Sequence, residues 1–146
     1  MKDKKLEKIS LDNQCCFALY AASRAVLKAM KPYLDDLGVT YPQYLVLLVL
    51  WEEEETTVGK IAKRLYLDTG TITPLLKRMQ KNELLQRRRS NNDERVVHIS
   101  ITKKGMDLKQ RAVNMPLNRL NKSSLTEERF YRLRKELFSI LEILNE

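Results

Sequence analysis

Residues 56–104 hold two short amphipathic helical segments joined by a tight turn, then two strand-length runs joined by a polar loop. The first segment opens at Thr56 or Thr57 and reads VGKIAKRLY, with Val58, Ile61, Ala62 and Leu65 on one face. The second follows Asp68 and reads TGTITPLLKRMQKNE, with Ile72, Leu75, Leu76 and Met79 inward. Pro74 leaves two starts open: a helix beginning near Thr73 with the proline in its first turn, or one beginning at Asp68 and bending at the ring. Residues 84–90 and 96–102 then flank Asn91-Asn92-Asp93-Glu94-Arg95. Val97, Ile99 and Ile101 alternate with His98, Ser100 and Thr102, the period of a strand with one face on a core. The pattern predicts a helix–turn–helix followed by a β-hairpin wing.

The same stretch carries the net charge. It holds twelve Lys and Arg against four Asp and Glu, which equals the +8 of the whole chain, so the remainder is electrically balanced. A neutral scaffold with one strongly positive segment is the footprint of a nucleic-acid binder. The second helix presents Thr69, Thr71, Thr73, Lys77 and Arg78 away from its apolar side. Hydroxyls reach base edges or phosphates, cations neutralise phosphates, and an arginine can grip guanine through two hydrogen bonds. On the helix alone, a solvated face with surface threonines reads equally well; the wing beside it favours DNA. Arg87, Arg88 and Arg89 cannot all face one way on a strand, so one or two must point toward the first helix or the core; Arg88 is counted among the DNA contacts. Arg95, at the hairpin tip, suits insertion into a minor groove. Asp93 is expected to hold Arg95 by a short-range ion pair.

The rest reads as mainly helical. Four glycines and four prolines against 43% hydrophobic residues leave little room for another class. Residues 11–37 have apolar positions at helical spacing, with Ser10 or Asp12 as cap, Pro32 as a kink or end, and Gly38 as terminator. Thr40 caps a second helix, 41–53, with Pro42 in its first turn; it is apolar nearly all round and should be buried. The acidic run 52–55 reads as the solvated end of that helix. Helical segments follow Gly105 and Thr126, the last with a stripe at Phe130, Leu133, Leu137, Ile140, Leu141 and Leu144. Flanking helices at each end of a winged core leave apolar faces without a partner, which predicts a homodimer through the N- and C-terminal helices. The expected organisation is a single domain, 1–146, with a winged helix–turn–helix core at about 40–104 and dimerisation helices at about 11–37 and 105–146. The longest apolar run, 44–51, is too short to span a bilayer, and the opening MKDKKLEKIS lacks an apolar signal core. A cytoplasmic protein with no membrane partner is expected.

His98 is the only histidine. One imidazole on the outward side of a strand supports neither the usual metal chemistry nor a Ser–His–Asp arrangement, so neither enzyme activity nor a cofactor is expected. Cys15 and Cys16 are adjacent, which is no disulfide framework, and by periodicity alone they read as small core residues. Neighbouring helical side chains diverge by roughly 100°, so at most one shares a given pocket, and a direct Cys15–Cys16 bond needs local unfolding. Tyr20 lies one turn after Cys16, within reach to donate a hydrogen bond to a thiolate; Asp12 lies one turn before it.

The segments LDNQCCFALYAASR, VTYPQYLVLLVLWE, RLYLDTGTITPLLKRM and RRRSNNDERVVHISITKKG together resemble the MarR family of winged-helix regulators, and within it most the organic hydroperoxide sensors. The likeness covers about residues 6–110; the C-terminal helices match in pattern only. The family pattern Asn-Gln-Leu-Cys-Phe falls on Asn13-Gln14-Cys15-Cys16-Phe17. The resemblance therefore implies Cys16 as the reactive cysteine and Tyr20 as the tyrosine that hydrogen-bonds its thiolate. Cys15 replaces an apolar residue, and Met30 stands where some members place a second tyrosine. No cysteine occurs near the C-terminus, so the resemblance is to the one-cysteine type, whose sulfenic acid is trapped by a low-molecular-weight thiol or oxidised further. The implied function is a DNA-binding repressor that sits as a dimer on a pseudo-palindromic operator and releases it when an organic hydroperoxide oxidises Cys16. A same-family alternative is control by a small phenolic ligand, or action as a global redox or virulence regulator. From other classes, a thiol peroxidase is disfavoured because no resolving cysteine is evident and no arginine lies clearly beside Cys16. An architectural DNA-coating protein would show no operator preference.

Overall fold

The computed structural model describes residues 9–114 and 126–145. The chain divides after Asn114 into two compact units.

Leu11–Asn13 form a single 3-10 turn, and helix α1 spans Cys15–Leu37. Gln14 between them is extended, at φ −92° and ψ 103°. The N-terminal segment is thus broken at Gln14, and neither Ser10 nor Asp12 caps one continuous helix. Pro32 is inside α1 and does not end it; Gly38 does, at φ 72° in the left-handed region that glycine enters without steric cost. Helix α2, Tyr41–Glu53, opens with a capping box: the Thr40 hydroxyl accepts from the Gln43 amide, and the Gln43 carboxamide accepts from the Thr40 amide. Most of its apolar surface is buried, with Val46, Leu47 and Leu50 fully enclosed, while Leu48 stays exposed.

Glu54 then takes a positive φ of 57° and turns the chain into a three-residue strand, β1, Glu55–Thr57. The acidic run is therefore partly strand and not simply a helix end. Three residues are too few to show alternation, so only the β-branched pair Thr56-Thr57 hinted at it. Helices α3, Val58–Arg64, and α4, Thr69–Lys81, follow, then strands β2, Leu85–Arg89, and β3, Val97–Ile101. The sheet is antiparallel in the order β1-β3-β2, with Ile99 opposite both Thr56 and Arg87. Thr57 caps α3 and Asp68 caps α4, so α4 starts at Thr69 and carries Pro74 internally. Helix α5, Lys103–Val113, begins before Gly105. The indole of Trp51 donates to the Gly105 carbonyl at 3.0 Å. A Cβ at Gly105 would fall 2.2 Å from the Leu84 carbonyl oxygen, so only glycine lets α5 approach the wing this closely.

One core holds these elements together. Leu47 and Leu50 of α2, Ile61 of α3, Ile72, Leu76 and Met79 of α4, Leu85 and Ile99 are all essentially inaccessible. Burial of each such side chain is worth about 1.5–3 kcal/mol. By contrast, no residue of α1 before Leu34 is buried, and Phe17 and Leu19 are 43% and 45% exposed. The second unit contributes helix α6, Glu127–Leu144, capped by Thr126. Phe130, Leu133, Leu137, Phe138 and Leu141 form an apolar groove along it, with Leu133 and Phe138 half exposed. Among the described residues, no helix is long and apolar enough to cross a membrane.

Candidate nucleic-acid interface and reactive thiol

The geometry begins at the turn between α3 and α4. Tyr66 adopts a left-handed φ of 54°, and the Leu67 amide donates to the Ala62 carbonyl, closing a tight corner. Asp68 then secures the start of α4 twice. One carboxylate oxygen accepts from the Thr71 amide at 2.8 Å and the other from the Thr71 hydroxyl at 3.0 Å. The backbone bond from Thr71, then the hydroxyl bond, hold the Asp68 carboxyl below its ordinary pKa. At the last residue of α3, beside this turn, the Arg64 guanidinium reaches Glu52 at 2.7 Å and Glu53 at 3.1 Å, tying the helix–turn–helix to the end of α2.

Thr69, Thr73, Lys77 and Gln80 recur at helical spacing and share one face of α4. That face, with Thr57, Arg87, Arg89 and Arg95, lines a cleft of about 680 Å³ between α4 and the wing. Four cations line it and no carboxylate does. Thr73 donates its hydroxyl to the Thr69 carbonyl at 2.7 Å, leaving its oxygen directed outward as an acceptor. Thr71 and Arg78 stand outside the cleft, on the far side of the exposed surface of α4, and the Thr71 hydroxyl is already engaged by Asp68.

The arginine triplet separates by strand alternation. Leu85, Arg87 and Arg89 share the face that is core at Leu85 and opens into the cleft beyond it; Arg88 pairs with His98 on the opposite side and does not line the cleft. Arg87 and Arg89 are the residues that sequence reasoning missed. The signal was present: a buried Leu85 fixes the parity of every later residue on β2. The Arg87 Nε is buried and has no hydrogen-bond partner among the described residues. A buried donor without an acceptor, in a cleft of cations, is suited to a bound anion. At the wing tip, Asp93 Oδ1 accepts from the backbone amide of Arg95 at 2.9 Å, and the Asp93 carbonyl accepts from Val96. Asp93 thus shapes the backbone of the tip and makes no ion pair with the Arg95 guanidinium, because its oxygen is turned toward the chain.

Cys15 and Cys16 are the first two residues of α1, and both are exposed, not core. Tyr20 follows one turn later and is 60% exposed, with the Arg24 guanidinium over its ring at 5.4 Å. Among the described residues, no hydrogen bond joins its phenol to Cys16; the ring lies against Arg24 instead. His98 Nδ1, on the central strand β3, lies 3.7 Å from a Glu55 carboxylate oxygen of β1, and His98 does not line the cleft.

The model of the SarA/Rot transcriptional regulators matches residues 28–112. An organic hydroperoxide resistance transcriptional regulator of Bacillus subtilis strain 168 is 48% identical over 99% of this chain and 98% of its own. This chain belongs to the SarA/Rot family of transcriptional regulators. Its fold agrees: reduced AbfR bound to DNA, a Staphylococcus epidermidis protein, is 36% identical with a TM-score of 0.77, over 97% of this chain and 99% of that one. Overoxidized AbfR bound to DNA superimposes equally well, over 96% and 98%. A mutant MarR from E. coli, complexed with operator DNA, shares the fold at 23% identity and a TM-score of 0.75, over 96% and 99%. The chain is thus a regulator of transcription, not an enzyme, and it has the winged-helix fold that MarR also has.

Proposed function

We propose that this chain is a cytoplasmic repressor that binds a pseudo-palindromic operator as a reduced homodimer and releases it when an organic hydroperoxide oxidises Cys16. The observation that carries the reading is the pairing of two features in one chain. One is a carboxylate-free cationic cleft between α4 and the wing; the other is an exposed cysteine pair at the start of α1. The whole-length likeness to a hydroperoxide resistance regulator supplies the signal.

In this reading α4 enters a major groove, with Thr69, Thr73 and Lys77 toward the wing side and Thr71 and Arg78 on the flank. Arg87 and Arg89 take phosphates, and Arg95 enters the adjacent minor groove on a tip shaped by Asp93. A second copy covers the exposed apolar faces of α1 and α6, and in that dimer the Tyr20 phenol, which does not bond Cys16 within the single chain, leaves Arg24 and donates to a Cys16 thiolate. Release is assigned to a disulfide drawn from the sulfenic acid, in the end with a low-molecular-weight thiol, because AbfR carrying an overoxidized state is found on DNA. The dimer is the element whose two arrangements the sulfur biases.

The test is a gel shift on the DNA upstream of the chain's own gene. Reduced protein should retain that DNA in preference to random sequence, and a lipid-like hydroperoxide followed by a small thiol should abolish retention until dithiothreitol restores it. Equal retention on random DNA, or indifference to the peroxide, would overturn the proposal.

A further inference from the structure

The second cysteine has no part in the reading above, yet its position gives it chemistry. Cys15 and Cys16 are the first two residues of α1, next to an extended Gln14, and both side chains are exposed. Inside a helix two adjacent cysteines cannot meet, because their side chains diverge by about 100°. At a helix start the constraint is weak. The first amides of an α-helix have no intrahelical acceptor, and here the first residue with one is Ala18, whose amide donates to the Gln14 carbonyl at 3.1 Å. Within one chain, opening this turn uncovers no core side chain, since no residue of α1 before Leu34 is buried.

We propose that Cys15 is the resolving thiol of Cys16, and that the two close a vicinal disulfide by unwinding the first turn of α1. The proposal rests on Cys16 being the sensing thiol. The Cys16 thiolate attacks the terminal oxygen of the hydroperoxide, the O–O bond breaks, and the departing alkoxide takes a proton to leave as an alcohol. Cys16 is then a sulfenic acid. The Cys15 thiolate attacks its sulfur, the S–O bond breaks, and hydroxide leaves with the Cys15 proton as water. Two thiols are oxidised and one hydroperoxide is reduced.

A thiol tethered one residue away is present at an effective concentration of about millimolar or more, so it competes with any dissolved thiol for the sulfenic acid. The ring that forms departs from relaxed disulfide geometry, which makes it easily opened by a small thiol. That exchange hands the sulfur on to a mixed disulfide and keeps Cys16 from the irreversible sulfinic and sulfonic acids.

The experiment treats the reduced full-length protein with one equivalent of cumene hydroperoxide, without added thiol, and reads intact mass, thiol alkylation and amide exchange. The wild type should lose the mass of two hydrogens within one chain, lose both alkylatable thiols, and exchange faster at the Ala18 amide. Cys15→Ser should instead gain one oxygen, trappable by dimedone, and go on to two or three oxygens with excess peroxide. Wild type that gains oxygens as Cys15→Ser does, with Cys15 still alkylatable, would overturn the proposal, as would a disulfide joining two chains. If both thiols stay reduced in the wild type, the sensing assignment of Cys16 fails as well, which separates the two readings.

Discussion

Arg88 and Arg95 differ by what their backbones do with them. Arg95 is held at the wing tip by the Asp93 carboxylate on its amide, and it lines the cleft; Arg88 lies on the opposite face of β2 beside His98. Arg95→Ala should raise the operator dissociation constant roughly ten- to a hundredfold, the range of a lost specific arginine contact. Arg88→Ala should change it by less than about threefold, the scale of a lone exposed charge. Fluorescence anisotropy with a labelled operator reads both, with circular dichroism as a check on the fold. Equal losses for the two variants would mean that the cleft face is not the DNA face. The sequence placed Thr69, Thr73 and Lys77 on one helix and Arg95 at the hairpin tip, as the structure has them, because amphipathic spacing and an exposed turn are local signals. It failed to sort the arginine triplet. That sorting needs the burial of Leu85, which depends on what α4 packs against the sheet.

At the scale of elements, α4 depends on its first turn. Asp68 accepts two hydrogen bonds from Thr71, and its carboxyl is held below the ordinary value of 3.8. A depressed carboxyl stabilises the fold above its unfolded pKa, and the benefit disappears as pH falls through the folded value. Acid unfolding below about pH 3.8 should therefore steepen with Asp68 in place. Asp68→Asn still caps but does not titrate, so its stability should fall less across that window in urea titrations at successive pH values. The same cap shows how the elements were legible. Thr40, Thr57, Asp68, Thr102 and Thr126 each accept a backbone amide at a helix start, and a hydroxyl or carboxylate before an apolar period marks such starts in the sequence. Asp68 also resolves the ambiguity at Pro74: the cap bonds fix the start at Thr69, and the missing amide of Pro74 leaves only the Gly70 carbonyl without its helical donor. Two features had little local mark, β1 no more than the pair Thr56-Thr57 and the Gln14 break none. Strand β1 exists because β3 offers it an edge, and the break at Gln14 follows no proline or glycine.

For the whole molecule, the separation of charge is the governing fact. All of the net +8 lies in the segment that builds α3, α4 and the wing. If a dimer neutralises on the order of eight phosphates, log K should fall against log salt with a slope near −7. Arg87→Ala should make that slope shallower by about two, because each dimer then loses two cleft cations whose buried, unmet Nε is assigned to a phosphate. An unchanged slope would remove Arg87 from the interface. Assembly is tested separately. Leu137 lies in the apolar groove of α6, and a carboxylate there cannot be covered by a second copy without desolvation. Leu137→Asp should sediment as monomer or aggregate and lose operator binding, whereas a wild-type monomer that binds a palindromic site tightly would contradict the dimer.

The claim that joins the cleft to the thiols is that oxidation of one sulfur, Cys16, releases the operator. It is tested most directly by operator retention against hydroperoxide dose, followed by a small thiol, for wild type and Cys16→Ser, with the modified sulfur located by intact and peptide mass. The wild type should lose the operator at about one equivalent of peroxide with oxidation mapping to Cys16, and Cys16→Ser should bind as tightly and stay bound at every dose, because serine cannot form a sulfenic acid. Release of DNA by Cys16→Ser on oxidation, or a wild type that lets go with Cys16 still reduced, would contradict the account.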